Sequence, residues 1–295
     1  MKIGIDLGGT KTEGILINSE GKELNRTRIK TQKNYQETIE GIISVVSEFE
    51  KNFGEVDSIG IGMPGAISAD SALIKNANSI WLNGKPLKKD LENQLQRKVN
   101  LENDANCFAL SEAVDGAGKG HSVVFGVILG TGVGGGIIIN QKILQGRNKI
   151  SGEWGHITLP NRTEDEKKYN IKCYCKKEGC METYLSGPGF ASIYNLRHNT
   201  NLDSHEIIKG YPGDQKSLGA LENYVDHLAR GLSVVINILD PDIIVLGGGM
   251  SNIDYIYANI NDRLKQYVFT DTCHTEVVKN FHGDSGGVRG AAWLS

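Results

Sequence analysis

The architecture is announced by Lys2-Ile3-Gly4-Ile5-Asp6-Leu7-Gly8-Gly9-Thr10-Lys11-Thr12-Glu13-Gly14-Ile15-Leu16-Ile17. Lys2 to Leu7 and Glu13 to Ile17 carry the apolar pattern of short strands, and Gly8 to Thr12 makes a hairpin tip of glycine and hydroxyl residues. Glycine turns expose backbone N–H groups with no Cβ in the way, and a nearby hydroxyl or lysine adds a donor or a charge, so such tips bind anions. Asp6, Gly8, Gly9, Thr10, Lys11 and Thr12 are therefore candidate phosphate-binding residues, with Asp6 placed to hold Mg2+ through water. The alternative is a plain hairpin turn. The loop is not a Walker A sequence, because the GxxxxGK[ST] spacing is absent.

The same theme returns further along. Val123 to Ile139 reads as strand, Gly130-Thr131-Gly132 turn, and strand, while Ile243 to Leu246 reads as a buried strand ending in Gly247-Gly248-Gly249. Two phosphate-sized glycine hairpins suggest two related α/β lobes, expected at 1–117 and 118–284. A helix from about 285–295 completes the first lobe, and a glycine-rich joint near Gly116 to Gly120 links the two. Apolar residues at helical spacing from Tyr35 to Phe49 and from Leu221 to Leu239 predict amphipathic helices. The latter stops at Asp240-Pro241. Gly60-Ile61-Gly62-Met63-Pro64-Gly65 matches GxGxxG, yet the proline and the missing helix behind it make a dinucleotide site a weak reading.

Composition sets outer limits. Among 295 residues, 32 basic and 35 acidic side chains give a net charge of −3, which argues against a nucleic-acid face built on bulk charge. Glycine is abundant at 37 and proline scarce at 6, the profile of a chain with many tight turns and close backbone approaches. An acidic residue at position 6 interrupts any secretory signal, and Val123 to Ile139 is too short and glycine-rich to span a membrane. A cytoplasmic protein is expected.

Three of five cysteines fall within eight residues. With His156, Cys173, Cys175 and Cys180 supply a Cys3His set suited to closed, structural tetrahedral zinc; reduced surface thiols are the alternative. Zinc there would fix a loop at about 151–182 that carries Glu153, His156 and Glu182, side chains able to bind sugar hydroxyls, although glutamate is more often a solvated surface residue. The charged run Glu164 to Lys168 reads as a solvated loop. Cys107 and Cys273 lie outside the cluster and read as packed thiols. Asp104, after a short strand and before a helix, is a candidate general base beside Asn103; position alone favours a helix N-cap.

Together these motifs resemble the ROK family of bacterial sugar kinases and sugar-sensing repressors. The likeness runs nearly end to end, through Asp6 to Thr12, Glu102 to Asn106, Leu129 to Gly136, Gly152 to His156, the cysteine cluster with Glu182, and Gly247 to Gly249. It implies a two-lobed, actin-like (ribonuclease H-like) ATPase fold with a zinc-binding loop in the second lobe, and ATP, Mg2+ and structural Zn2+ as cofactors. ATP phosphates would lie at Gly8 to Lys11 and at Gly130 to Gly136, including Thr131, Gly132, Gly134 and Gly135. Adenosine would lie near Gly247, Gly248 and Gly249. Asp104 becomes the base, and Asn103, Glu153, His156 and Glu182 become sugar ligands, with one ring nitrogen of His156 on zinc and the other toward the sugar. Lys176 departs from the glycine common after the second cysteine, which puts the local turn geometry in question.

Lys75-Asn76-Ala77-Asn78-Ser79-Ile80-Trp81-Leu82-Asn83-Gly84 looks most like the fructokinase and mannokinase branch, adding Asn78 and Asn83 as sugar ligands. The expected reaction is ATP-dependent phosphorylation of D-fructose, and of D-mannose, at the 6-hydroxyl. The alternatives are an N-acetyl-D-glucosamine kinase or glucokinase of the same family, and a non-enzymatic sugar-binding sensor. A repressor would need a DNA-binding segment ahead of the phosphate loop, which here begins at residue 4. The resemblance further implies a homodimer acting on a hexose and MgATP, with no nucleic-acid or membrane partner.

Overall fold

A computed structural model describes residues 1–169 and 171–294. In chain order the elements are β1 (Lys2–Leu7), β2 (Lys11–Ile17), β3 (Glu23–Lys30), α1 (Tyr35–Phe53), β4 (Ser58–Met63), β5 (Ala66–Ile67), β6 (Ile74–Lys75), α2 (Leu87–Leu95), β7 (Asn100–Asn103) and α3 (Asp104–Val114). There follow β8 (Val123–Leu129), β9 (Val133–Ile139), β10 (Lys142–Ile143), α4 (Glu164–Lys168), α5 (Glu182–Leu185), α6 (Gly187–His198), α7 (Ser204–Lys209) and α8 (Gln215–Leu239). The last are β11 (Ile243–Gly247), α9 (Asp254–Leu264), β12 (Glu276–Lys279) and α10 (Gly286–Trp293). Among the described residues no helix is long and apolar enough to cross a membrane.

Two five-stranded sheets have the orders β3-β2-β1-β4-β7 and β10-β9-β8-β11-β12. The orders correspond strand for strand: an antiparallel hairpin with a third strand outside it, then two parallel strands added on the other side. This is the α/β, actin-like arrangement that the paired glycine hairpins suggest.

Two compact units follow. The first comprises Met1–Gly120, Gly136–Ser151 and Phe281–Ser295; the second comprises His121–Gly135 and Gly152–Asn280. The expected lobes at 1–117 and 118–284 put Gly136–Ser151 with the second. In the structure that segment belongs to the first unit, where Gln145 Nε2 donates to Glu102 Oε2 at 2.6 Å and Lys75 Nζ donates to the Asn148 carbonyl at 3.3 Å.

In the first unit the period of two in a strand sorts β1 into two faces. Ile3, Ile5 and Leu7 join Ile39, Ile42, Val46 and Phe49 of α1 in a buried core, together with Ile59, Ile61 and Met63 of β4. The opposite face carries Gly4 and Gly60, and α10 lies against it so closely that a Cβ on Gly4 would collide with the Val288 carbonyl, and one on Gly60 with the Ala291 carbonyl. Ile15 and Ile17 of β2 complete that contact with Val288 and Ala292. Gly290 of α10 approaches α3 in the same way, its α-carbon facing the Cys107 carbonyl. Glu112, fully buried on α3, ties in the chain leading to α10: its carboxylate accepts from the backbone N–H groups of Ala117 at 2.9 Å, Phe281 at 3.0 Å and His282 at 3.2 Å.

A methyl group at Gly290 has nowhere to go, whereas Gly219 inside α8 has no neighbour within 4 Å of an added Cβ. Gly290→Ala should lower stability by about 3 kcal/mol or more through overpacking. Gly219→Ala should raise it by about 0.5–1 kcal/mol through helix propensity. Urea midpoints of the two variants check both, and equal midpoints would refute the close-approach argument.

Candidate active site

In the first unit the β1–β2 tip is closed by the Gly8 N–H donating to the Lys11 carbonyl at 3.1 Å. Gly9, Thr10 and Lys11 are exposed at its apex, so their backbone N–H groups can meet an anion. Thr12 is buried instead. Its hydroxyl lies 2.8 Å from that of Thr31, which donates to the Gly8 carbonyl at 2.8 Å. Thr12 therefore braces the tip and does not line it.

Asp6 and Glu13 are cross-strand partners, so their side chains share the sheet face on which α10 begins. Glu13 is buried and neutralised from three sides, by Arg26 at 2.5 Å, Arg28 at 2.9 Å and Lys11 at 3.9 Å. Asp6 is less well provided for. Burial, then the neighbouring carboxylates of Asp104 and Glu13, push its pKa up to about 6 against the pull of Lys11. Two carboxylates that repel each other beside an exposed glycine turn are suited to a divalent cation, whose charge would relieve the repulsion.

Asp104 is the first residue of α3, and its Oδ1 accepts from the Ala105 N–H at 2.8 Å. The N-cap is Asn103, not Asp104. The Asn103 Oδ1 accepts from Ala105 at 2.9 Å and Asn106 at 3.4 Å, while its Nδ2 donates to the Gly65 carbonyl at 2.9 Å. The cap that position alone assigned to Asp104 is thus supplied one residue earlier, and the Asp104 carboxylate remains half-buried in the first helical turn, where the helix dipole favours its charge.

Asn78 and Asn83 behave differently from each other. Asn78 is exposed. Asn83 turns its carboxamide onto its own loop, Oδ1 accepting from the Ala77 N–H and Nδ2 donating to the Ala77 carbonyl, both at 2.9 Å. The polar segment read as a sugar-selecting loop is, at Asn83, a loop that closes on itself.

The second unit repeats the hairpin. The Gly130 N–H donates to the Gly132 carbonyl at 3.0 Å, and the Gly187 N–H at the start of α6 donates to the Gly130 carbonyl at 2.9 Å. Thr131 is exposed at the tip. Gly134 and Gly135 serve packing: the Gly134 carbonyl accepts from Trp154 Nε1 at 3.0 Å, and a Cβ on Gly135 would meet Trp154 and the Gly152 carbonyl at 2.9 Å. At the end of β11, Gly247 is buried, whereas Gly248 and Gly249 are exposed. Gly248 has φ +81° and lies close against the Leu129 backbone, a conformation and a space that only glycine accepts.

Glu153 is exposed and precedes the short turn Trp154–His156. Glu182 opens α5, and its Oε2 accepts from the Val133 N–H at 3.1 Å while Oε1 lies 3.4 Å from the Cys173 thiol. One carboxylate thus joins the cysteine loop to the glycine hairpin. The ligand atoms of His156, Cys173, Cys175 and Cys180 all lie within 4.8 Å of one another. Two of the spacings, Cys175 Sγ to Cys180 Sγ and Cys173 Sγ to His156 Nδ1, are 3.5 Å. Zn–S bonds of about 2.3 Å in a tetrahedron put sulfurs about 3.8 Å apart, so the set fits zinc. Lys176 holds φ +71°, the left-handed conformation that glycine adopts without strain.

Two features escaped the sequence. The run Glu164 to Lys168 is the helix α4, not a solvated loop. Thr163 and Glu166 form a reciprocal capping box, and the Glu166 carboxylate holds Arg230 and, at 2.8 Å, His227 Nε2 of α8. The Thr-x-x-Glu spacing was its signal. Tyr174, between the first two cysteines, places its hydroxyl 2.9 Å from His156 Nε2. An aromatic residue between two metal-ligand candidates was the available sign.

Comparison with known proteins identifies the family. The ROK family as a whole matches residues 2–295. An N-acetyl-D-glucosamine kinase from Pectobacterium atrosepticum is 40% identical over 299 residues, covering 100% of this chain and 98% of that one. The ROK hexokinase of Thermus thermophilus superposes with a TM-score of 0.87 at 27% identity, covering 99% of this chain and 97% of that one. A ROK family glucokinase from Streptomyces griseus, in complex with glucose and AMPPNP, gives 0.80 at 27% identity, covering 100% and 98%. The expectation of a fructokinase, resting on residues 75–84, is overturned, since relatives matched over the full chain are N-acetyl-D-glucosamine kinases. With its two-lobed actin-like fold, its repeated glycine hairpins and its Cys3His cluster, the chain belongs to the ROK family, among the sugar kinases.

Proposed function

We propose that this ATP-dependent sugar kinase acts on N-acetyl-D-glucosamine, phosphorylating its primary 6-hydroxyl. The full-length match to the Pectobacterium atrosepticum enzyme carries the choice of sugar. The electrostatics of Asp6 and Asp104 support the choice of chemistry.

Phosphoryl transfer asks a protein to hold phosphates, place the acceptor oxygen and receive its proton. The sugar hydroxyl oxygen forms a bond to the γ-phosphorus as the bond to the bridging oxygen breaks, leaving ADP with that electron pair. Asp104 receives the hydroxyl proton. The backbone N–H groups of Gly9, Thr10 and Lys11, with the Lys11 ammonium, and those of the Gly130–Gly132 turn bind phosphate oxygens. Gly248 and Gly249 bound the adenosine. Mg2+ held through water at Asp6 would supply charge to offset that developing on the phosphates. In the second unit, Glu153 accepts hydrogen bonds from sugar hydroxyls and His156 borders them with its Nε2 engaged by the Tyr174 hydroxyl, and zinc on the Cys3His set would fix the loop that presents them.

ADP release from MgATP, measured in parallel with N-acetylglucosamine, glucose, mannose and fructose, tests the reading. N-acetylglucosamine should exceed the others in kcat/KM by at least about tenfold. Preference for glucose would refute the substrate, and silence on all four would refute the kinase.

Asp104→Asn should lower kcat by about 10^2- to 10^4-fold without loss of fold, as expected for removal of a general base; near-parental turnover would remove that role. Asp6→Asn should also lose turnover but gain stability. A folded-state pKa raised from 3.8 to about 6 means the native state favours the neutral acid, so the stability it contributes is present below pH 3.8 and lost as pH rises through 6. At pH 7 the variant should be more stable by on the order of 2–3 kcal/mol in Mg2+-free buffer, with the difference vanishing near pH 3.5. Denaturant midpoints across that range check the sign.

For the cluster, protein purified without chelator should carry one zinc per chain by elemental analysis. A metal-free preparation of full activity would exclude a structural zinc.

A further inference from the structure

Tyr174 stands at the corner of the turn in which the Lys176 N–H donates to the Cys173 carbonyl at 2.9 Å. The turn projects its side chain outward, leaving the residue 73% exposed between two cysteines that face inward to the metal set. A large aromatic ring so exposed has little reason in packing to be there. Its placement is nonetheless defined. The hydroxyl lies 2.9 Å from His156 Nε2, and the two rings meet edge to face with centroids 5.0 Å apart at 86°. The carboxylates of Glu182 and Glu153 lie within electrostatic range of the phenol. Tyr174 therefore sits among the three side chains of the second unit proposed to bind or bound the sugar.

The chemistry of His156 gives that position a direction. Its Nδ1 faces Cys173 Sγ at 3.5 Å and belongs to the zinc set. A neutral imidazole ligating a metal through Nδ1 carries its one proton on Nε2. That N–H donates to the Tyr174 oxygen. The phenol's own proton is then directed away from His156 and needs an acceptor. Tyr174 thus offers one hydrogen-bond donor next to an exposed apolar ring face.

An N-acetyl group has the complementary pair: a carbonyl oxygen that only accepts, and a methyl group that gains from an apolar wall. A hydroxyl at the same sugar position both donates and accepts, so it can find a partner in Glu153, Glu182 or water without the phenol. We propose that Tyr174 is the residue that selects the 2-acetamido group of the substrate, its hydroxyl donating to the amide carbonyl and its ring covering the methyl. This rests on N-acetylglucosamine being the substrate, as proposed above.

The test compares the parent protein with Tyr174→Phe, which keeps the ring and loses the donor, and Tyr174→Gly, which loses both. Calorimetric Kd values for N-acetylglucosamine and glucose are read beside KM, kcat and zinc content. In Tyr174→Phe the Kd and KM for N-acetylglucosamine should rise about 5- to 10-fold, the worth of one hydrogen bond, with kcat at saturation and the Kd for glucose within about twofold of the parent. Tyr174→Gly should weaken N-acetylglucosamine further, again sparing glucose. Retention of zinc in both variants shows that the cluster is intact, and the tyrosine ultraviolet difference spectrum induced by N-acetylglucosamine should be diminished in Tyr174→Phe. Unchanged N-acetylglucosamine binding in Tyr174→Phe, equal losses for both sugars, or loss of zinc alongside loss of binding would overturn the assignment to Tyr174 while leaving the kinase reading standing. A parent protein that does not bind N-acetylglucosamine would overturn the proposed substrate and this inference with it.

Discussion

The first unit depends on a contact that side chains would forbid. The helix Gly286–Trp293, from the end of the chain, lies directly on the strands of its beginning because Gly4 and Gly60 present bare backbone on that face, and it lies on Asp104–Val114 because Gly290 does the same. Dispersion between backbones at such distances replaces the interlocking of larger side chains. The arrangement brings the glycine-rich start of that helix against Asp6, since an added Cβ on Gly287 would stand 3.5 Å from its Oδ2. Parts of the chain separated by about 280 residues therefore meet beside Asp6 and the glycine turn that follows it.

On that scaffold the carboxylates are graded by their partners. Glu112 is buried but takes three backbone N–H groups, and Glu13 is buried but takes two arginines, so both have their charge satisfied. Among the described residues, Asp6 sets the pull of Lys11 against two like charges and its own burial. The same burial that would be a defect in a structural residue suits the cation-holding role proposed for Asp6, in keeping with the trade between stability and activity at functional sites.

The second unit holds its irregular loop by a few polar ties. Glu166 anchors α4 to Arg230 and His227 of α8, Glu182 bonds to the N–H that follows the glycine hairpin, and the Cys3His set gathers the stretch between. Lys176 accepts a left-handed backbone in the middle of this loop. Such strain is tolerated where the surrounding contacts over-determine the conformation, which metal binding at the flanking cysteines would do.

By itself the sequence determined the local elements and the family. Alternation in Lys2 to Leu7, glycine at two hairpin tips, helical spacing of apolar residues from Leu221 to Leu239 and four soft ligands in one stretch are short-range patterns, and short-range sterics decide them. Glu23–Lys30 was not legible as a strand, because its residues are largely polar and half-exposed and only pairing with Lys11–Ile17 makes it one. Tertiary structure alone decided that Asn103 and not Asp104 caps its helix, that Asn83 closes on its own loop, that Thr12 braces the first glycine turn from behind, and that Gly136–Ser151 belongs with the first unit. Each of these depends on which partner reaches a polar group first, and that is a matter of distances across the fold, which spacing along a chain does not encode.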